Sequence, residues 1–200
     1  QPVRYQFNAA PLTDQGKSYN YLIGGLGYKI LNEKEVSVTG LGAALNVVQI
    51  PSTVAINDKT YKVTTIDQSA FSADKEITDV IFGNNVTTIE KQAFYQCPNL
   101  RTIRFGTKVT KIGSNAFAEC AKLKNFTLPA SVKRIDTKAF YQCPAVKTVK
   151  INSTALEYVG KKGLAVNKTV TMKLPKKLFT KYQKMIKASS VYPKTKFIKS

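Results

Sequence analysis

Ile112–Phe117 reads Ile-Gly-Ser-Asn-Ala-Phe, and its pattern Ile-x-x-x-Ala-Phe occurs four times at one fixed spacing. Each copy begins 23 residues after the one before it, and no insertion interrupts the series. The four copies are Ile66–Phe71, Ile89–Phe94, Ile112–Phe117 and Ile135–Phe140. A constant period in the twenties indicates a solenoid, in which one short structural unit is stacked on copies of itself.

The rest of each repeat keeps the same register. The unit reads Leu-x-x-Ile-x-Phe, a four-residue turn, Val-x-x-Ile, three polar residues and then Ala-Phe-x-x-Cys. The alternation in the first segment predicts a short strand, and Val-x-x-Ile favours a second, shorter strand. Ala-Phe-x-x-Cys is too short for a full helix and predicts one helical turn. Because stacked parallel strands lie about 4.8 Å apart, equivalent apolar residues should form continuous rows.

Weaker patterns extend the array at both ends. Val48–Val54 matches the strand and turn of a repeat, followed by a polar hairpin over Ala55–Thr60, and Met172–Pro175 continues the strand positions further on. Alternation over Tyr28–Val38 predicts a β-hairpin that covers the N-terminal edge, and helical spacing over Leu178–Ile186 predicts a closing helix. We therefore expect one β-rich (α+β) solenoid domain. Its predicted parts are an N-terminal cap (1–45), about five to six repeat turns (46–175) and a C-terminal cap (176–200).

The full unit, Cys-x-x-Leu-x-x-Ile-x-Phe/Leu-Pro-x-x-Val-x-x-Ile-x-x-x-Ala-Phe, resembles the BspA-like leucine-rich repeat of bacterial surface proteins. The resemblance covers about residues 26 to 200 and implies a right-handed leucine-rich-repeat superhelix. It also implies export, surface anchoring through a lipid, and host matrix proteins or other cells as partners. Gly83 and Gly106 depart from the usual Leu-Pro turn, and residues 152–170 are eroded. The chain begins at Gln1, which we interpret as the trimming of an export signal.

The three cysteines, Cys97, Cys120 and Cys143, also lie 23 residues apart, and the chain has no histidine. A zinc site would need four sulfur or nitrogen ligands, and a disulfide would leave one cysteine over. A free buried cysteine behaves as a small hydrophobic residue, so the regular spacing favours a place in the core. We expect no metal site and no cofactor.

One set of acidic residues is a weak candidate for catalysis. Asp67 and Glu90 are neighbours in one row, with Gly113 interrupting it before Asp136. Carboxylates about 5 Å apart can serve a glycosidase, whereas acidic residues that open a turn are common solvated features. The sequence has no nucleophile elbow, phosphate-binding glycine loop or dinucleotide fingerprint. We predict that the protein is not an enzyme.

Net charge is +19, and it is unevenly distributed. From Glu157 to Ser200 no further acidic residue occurs, whereas twelve lysines do. Such a block attracts polyanions, over about 8 Å at physiological salt, although many lysine blocks are only solvated surface. The alternative ligand class is therefore a sulfated glycan or an anionic cell-surface polymer. Its predicted contacts are Lys176, Lys177, Lys181, Lys184 and Lys187. No helix-turn-helix, zinc finger or aromatic platform points to nucleic acid.

The outward positions of the predicted strands, with the basic residues beside them, form the main candidate site. This face usually carries partner binding in leucine-rich repeats. The predicted partner-binding residues are Arg101, Thr102, Arg104, Lys124, Asn125, Thr127, Lys147, Thr148, Lys150, Thr171 and Lys173. We therefore expect a secreted or cell-surface protein that mediates adhesion or protein–protein contact.

Overall fold

The computed structural model describes residues 13–14, 17–18 and 21–200. They form a solenoid of about seven turns with one short C-terminal helix, which confirms the predicted fold class. A regular turn has three sides: a front strand, a shorter side strand, and a run of tight turns that leads to the next front strand. The apolar residues of all three sides point inward and form one continuous core.

Seven parallel strands form the front of the solenoid. In chain order they are β6 (Val47–Ile50), β9 (Asp79–Phe82), β11 (Thr102–Arg104), β13 (Phe126–Leu128), β15 (Thr148–Ile151), β17 (Thr171–Leu174) and β18 (Lys196–Lys199). They pair as two sheets, β6-β9-β11 and β13-β15-β17-β18. Ile103 pairs with Val80, one repeat earlier, as the 23-residue register predicts. Strand β18, which the sequence analysis placed inside the C-terminal cap, adds a seventh level because Phe197 pairs with Met172.

The side strands form a second parallel ladder. They are β5 (Glu35–Leu41), β8 (Lys59–Ile66), β10 (Thr88–Ile89), β12 (Lys111–Ile112), β14 (Arg134–Ile135) and β16 (Tyr158–Val159). Each regular side strand has only two residues, and its isoleucine or valine is buried. The prediction of a second, shorter strand in Val-x-x-Ile is confirmed.

The third side corrects a prediction, because Ala-Phe-x-x-Cys forms no helical turn. Ser69 and Ala73, which flank the first Ala-Phe pair, have positive φ values of 56° and 59°, and the next three repeats have the same pattern. With these two left-handed residues four positions apart, every second N–H of the segment points toward the neighbouring repeat. The N–H of Phe71 donates to the carbonyl of Ala93 at 2.7 Å, and that of Ala73 donates to Tyr95 at 2.7 Å. Bonding between turns therefore replaces the i→i−4 bonds of a helix.

The phenylalanines of Ala-Phe form a vertical stack in the core. Ring centroids are 4.7 Å apart for Phe71 and Phe94, 5.1 Å for Phe94 and Phe117, and 5.2 Å for Phe117 and Phe140. The planes of these pairs differ by no more than 11°. The distances are close to the spacing of paired strands, about 4.8 Å, so the aromatic row follows the backbone repeat. The predicted row of equivalent side chains is confirmed.

Hairpins form the N-terminal end of the described chain. β4 (Leu26–Ile30) pairs antiparallel with β5, as predicted, and β3 (Tyr21–Ile23) pairs with β4. β7 (Thr53–Ile56) and β8 form the predicted polar hairpin, in which Asn57 and Asp58 both have positive φ. That geometry is typical of a two-residue hairpin turn. Two short strands, β1 (Thr13–Asp14) and β2 (Lys17–Ser18), also pair antiparallel. The remainder of residues 1–20, part of the predicted N-terminal cap, lies outside the described residues.

The C-terminal end is closed by the predicted helix. A 3₁₀ turn (Lys176–Leu178) leads into α1 (Phe179–Ala188), where Tyr182 and Ile186 are fully buried. The hydroxyl of Tyr182 accepts a hydrogen bond from the backbone N–H of Leu156 at 3.0 Å. The helix therefore covers the last repeat and satisfies one of its backbone donors.

Two local features explain residues that stood out in the sequence. A Cβ on Gly106 would lie 2.3 Å from the carbonyl oxygen of Gly83, so the close approach of these turns requires glycine. The thiols of the three buried cysteines donate to carbonyls one repeat earlier, at 3.1 to 3.2 Å; the pairs are Cys97 with Phe71, Cys120 with Phe94 and Cys143 with Phe117. Each cysteine thus fills the core and binds a turn of its neighbour.

Phe117→Ala should lower the free energy of unfolding by about 3–5 kcal/mol, because it removes a ring stacked on both sides and leaves a cavity. Urea denaturation measures the loss. Tyr158→Ala, at a side chain 41% exposed, is the control, and its loss should stay below about 1 kcal/mol. Equal losses in the two variants would contradict the stacked core.

The cysteines should be unreactive in the folded protein. Burial raises the pKa of Cys143 to about 12 and also raises that of Cys120, so the nucleophilic thiolate is scarce at neutral pH. A colorimetric thiol reagent at about pH 8 should detect no fast-reacting thiol in the native protein and all three in denaturant. Rapid native labelling of any cysteine would refute the core assignment.

Candidate ligand-binding site

The outward side of the front strands, here called the front face, carries two rows of mainly polar residues. The first row contains Asp79, Thr102, Asn125, Thr148, Thr171 and Lys196, and the second contains Ile81, Arg104, Thr127, Lys150, Lys173 and Ile198. Arg104, Thr127 and Lys150 are exposed, whereas Thr102 and Thr148 are half-buried between their neighbours. The structure therefore places the predicted strand residues on one surface, at intervals of about 4.8 Å.

The front face is interrupted between β11 and β13. Among the described residues, the two front sheets end at these strands and do not pair as a ladder, although the N–H of Lys124 still donates to the carbonyl of Arg101 at 2.9 Å. Asn125 bridges to the next level, because its Oδ1 accepts the N–H groups of Lys147 and Thr148, both at 2.8 Å. The predicted contact residue Asn125 therefore also joins the backbones of two successive turns.

A groove of about 580 Å³ lies beside the starts of β11, β13 and β15, and we call it the basic groove. It is lined by Arg101, Ala121, Lys122, Lys124, Asn125, Ala145 and Lys147. The lining holds four cationic side chains and no acidic one. The predicted basic row of Arg101, Lys124 and Lys147 therefore lines one groove together with two alanines. Sequence reasoning missed Lys122, because it precedes the strand and takes no part in the strand's alternation.

Asp79 is the one acidic residue in the two rows of the front face. Hydrogen bonds from the Thr78 and Thr102 hydroxyls lower the pKa of Asp79, and the positive charges of Arg101 and Arg104 lower it further. Its carboxylate is therefore ionised at neutral pH and lies at the N-terminal edge of the basic residues.

Positive charge is concentrated in the later turns. Residues 1–100 contain eight Lys and Arg and nine Asp and Glu, whereas residues 101–200 contain 23 and three. Among the described residues there are two ion pairs: Lys111 with Glu90 at 3.3 Å and Arg134 with Asp136 at 2.6 Å. Both belong to the side strands and their turns. Among the described residues no cation of the front face takes part in either pair, although Arg101 and Arg104 lie close enough to Asp79 to stabilise its carboxylate.

The acidic residues considered for catalysis lie in the turns that follow the side strands. Glu90 and Asp136 are in the two ion pairs above. Burial raises the pKa of Asp67, which the Ser37 hydroxyl and Lys29 oppose. These side chains therefore lie on a different side of the solenoid from the basic groove, and two of them are neutralised by cations.

The lysines predicted for polyanion binding lie at the C-terminal end. Lys176 and Lys177 are exposed in the 3₁₀ turn, and Lys181, Lys184 and Lys187 are exposed on α1 at intervals of three residues. Residues three apart on a helix are about 5–6 Å from each other, so these lysines form one stripe opposite the buried residues of α1. None of the helices among the described residues is long and apolar enough to cross a membrane.

Comparison with solved structures gives the same architecture. A leucine-rich repeat protein from Bacteroides ovatus is 25% identical, with a TM-score of 0.57, over 78% of this chain and 48% of its own. One from Bacteroides capillosus is 26% identical, with a TM-score of 0.59, over 66% of this chain and 96% of its own. A leucine-rich repeat protein from Treponema pallidum is 18% identical, with a TM-score of 0.52, and shares the fold.

The chain thus spans about half of the length of the Bacteroides ovatus protein. No curated protein matches the sequence. The family model of the BspA type leucine rich repeat region matches residues 45–191 in six copies, which is most of the chain. The expected resemblance, drawn from the repeat unit alone, is therefore confirmed: this chain belongs to the BspA-type leucine-rich repeat family.

Proposed function

We propose that this protein is a secreted or cell-surface binding protein that holds a protein ligand on its front face and mediates adhesion. The family supports a protein-interaction module in general, and its members are bacterial surface proteins. The observation that carries the proposal is the front face itself, where exposed Arg104, Thr127 and Lys150 lie in one row beside the basic residues Arg101, Lys124 and Lys147. The ligand we propose is a host matrix protein or a protein on another cell.

Rigidity supports this function. The front strands from β9 to β17 are held by backbone hydrogen bonds and have buried apolar residues on their inner side, so their outward side chains start from fixed positions. A preorganised surface loses less conformational entropy when it binds. Arginine is also enriched among the residues that dominate binding energy, which makes Arg104 the expected centre of the contact.

Binding, and not catalysis, is the activity we propose. The candidate acids Glu90 and Asp136 are occupied by Lys111 and Arg134, and they do not face the basic groove. We also propose the boundaries drawn from the repeats: caps at 1–45 and 176–200, with the binding turns between them. Secretion and a lipid anchor at the cell surface belong to the same proposal.

Replacing Arg104 and Lys150 together with glutamate should weaken binding to the protein ligand by at least about tenfold, or about 1.4 kcal/mol, because attraction becomes repulsion at the centre of the face. The measurement is biolayer interferometry against a panel of purified matrix proteins at about 150 mM salt.

Lys133→Glu with Lys161→Glu is the matched control. Both lysines are exposed, lie outside the front face, and give the same change in net charge. This control should change affinity less than about threefold. An equal loss in both double variants, or a panel in which no protein binds, would overturn the proposed function.

A second candidate function is polyanion binding through the lysine stripe of α1. The observation that favours it is the alignment of Lys181, Lys184 and Lys187 on one exposed face, in a segment with no acidic residue. The Lys187 ammonium lies 5.8 Å from the Phe197 ring centroid, and that of Lys181 lies 6.0 Å from Tyr182, so aromatic rings help to orient two of the three.

If this stripe binds sulfated glycans, Lys181→Gln, Lys184→Gln and Lys187→Gln together should lower the salt concentration that elutes the protein from heparin. Lys91→Gln, Lys133→Gln and Lys138→Gln form the control with the same loss of charge from other exposed surfaces. Its elution should change less, because contact charges count more than distant screened ones. Identical elution of the two variants would exclude a defined polyanion site on α1.

A further inference from the structure

We propose that the basic groove is a binding pocket for carboxylate side chains, and that it receives an acidic segment of the protein ligand. The proposal rests on the proposed function and specifies its ligand: a polypeptide stretch with several aspartates or glutamates. The two claims use different residues, since Arg101, Lys124 and Lys147 line the groove, whereas Arg104 and Lys150 lie outside it.

The shape of the groove comes from its place in the fold. The groove lies where the chain enters β11, β13 and β15, because Arg101, Lys124 and Lys147 come shortly before these strands, and alanine at positions 121 and 145 leaves space on the adjoining turns. The groove is open to solvent and has a volume of about 580 Å³. A few side chains of a peptide fit this volume, whereas a long polymer would leave most of its length outside.

The polar groups of the groove are donors. Lys122 Nζ donates to Asn99 Oδ1 at 2.7 Å, which holds its ammonium in place. The main acceptor of the lining, Asn125 Oδ1, is already occupied by two backbone N–H groups. Among the described residues, four positive side chains therefore line one open groove without a carboxylate beside them. Mutual repulsion among them is relieved when anionic groups enter.

Carboxylates suit the groove better than sulfated sugars do. The guanidinium of Arg101 can form two parallel hydrogen bonds with one carboxylate, and the flexible lysines can each reach another. No aromatic side chain lines the groove, so a sugar ring would have no stacking surface. The open lysine stripe of α1 offers a longer track for a polymer. The basic groove therefore favours a short, acidic peptide segment.

Fluorescence anisotropy with a labelled peptide of eight residues, four of them glutamate, tests the proposal at about 150 mM salt. The wild type should bind it at least about tenfold more tightly than the same peptide with four glutamines. Arg101→Gln, Lys124→Gln and Lys147→Gln together should weaken binding of the glutamate peptide by at least about tenfold. The triple variant on α1, with Lys181, Lys184 and Lys187 changed to glutamine, should weaken it less than about threefold.

A carbodiimide cross-link gives the location without any substitution. The reagent joins a peptide carboxylate to a lysine amine as an amide, and mass spectrometry should find that amide at Lys122, Lys124 or Lys147. Circular dichroism confirms that each variant is folded. A sulfated oligosaccharide of equal charge is measured in parallel, and its binding should be weaker than that of the peptide.

Equal effects of the two triple variants, cross-links mainly on α1, or tighter groove-dependent binding of the oligosaccharide would each overturn the carboxylate pocket. None of these results would remove the proposed function, which depends on the effect of Arg104 and Lys150 on a protein ligand. Conversely, a matrix-protein panel without binding would end the proposed function even if the acidic peptide binds.

Discussion

Hydrogen bonds between successive turns are the constraint on which the rest of this structure depends. They run along the front strands, the side strands and the tight turns, so each regular level matches the one before it at an interval of 23 residues. The rows of Phe71 to Phe140 and of the three cysteines follow from this match, because identical backbones place identical side chains one above another. Where two turns come closest, only a glycine such as Gly106 fits.

Different residues serve stability and function in this fold. Inward residues pack in the core and the backbone bonds to its neighbours, so the outward residues can differ between turns without disturbing either. Those residues differ strongly from turn to turn: Ile81, Arg104, Thr127, Lys150 and Lys173 share one row. The solenoid thus holds outward side chains of different chemistry at a constant spacing.

Positive charge is concentrated in the second half of the chain. Residues 1–100 are close to neutral, whereas residues 101–200 carry all of the excess positive charge. The basic groove lies at the start of the positive part, with Asp79 one level before Arg101 in a neighbouring row. An approaching acidic ligand is therefore attracted toward one end, which orients it before contact.

Sequence periodicity alone determined the fold class, the core rows, the hairpin at Asn57-Asp58 and the amphipathic closing helix, because each depends on local spacing or on one repeating register. It could not reveal the left-handed backbone at Ser69 and Ala73, since residues other than glycine adopt it there to bond the next turn. Strand β18 and the groove around Lys122 were likewise decided by the tertiary structure. The first depends on a strand that returns after the helix, and the second on side chains from three successive turns. Neither leaves a period in the sequence.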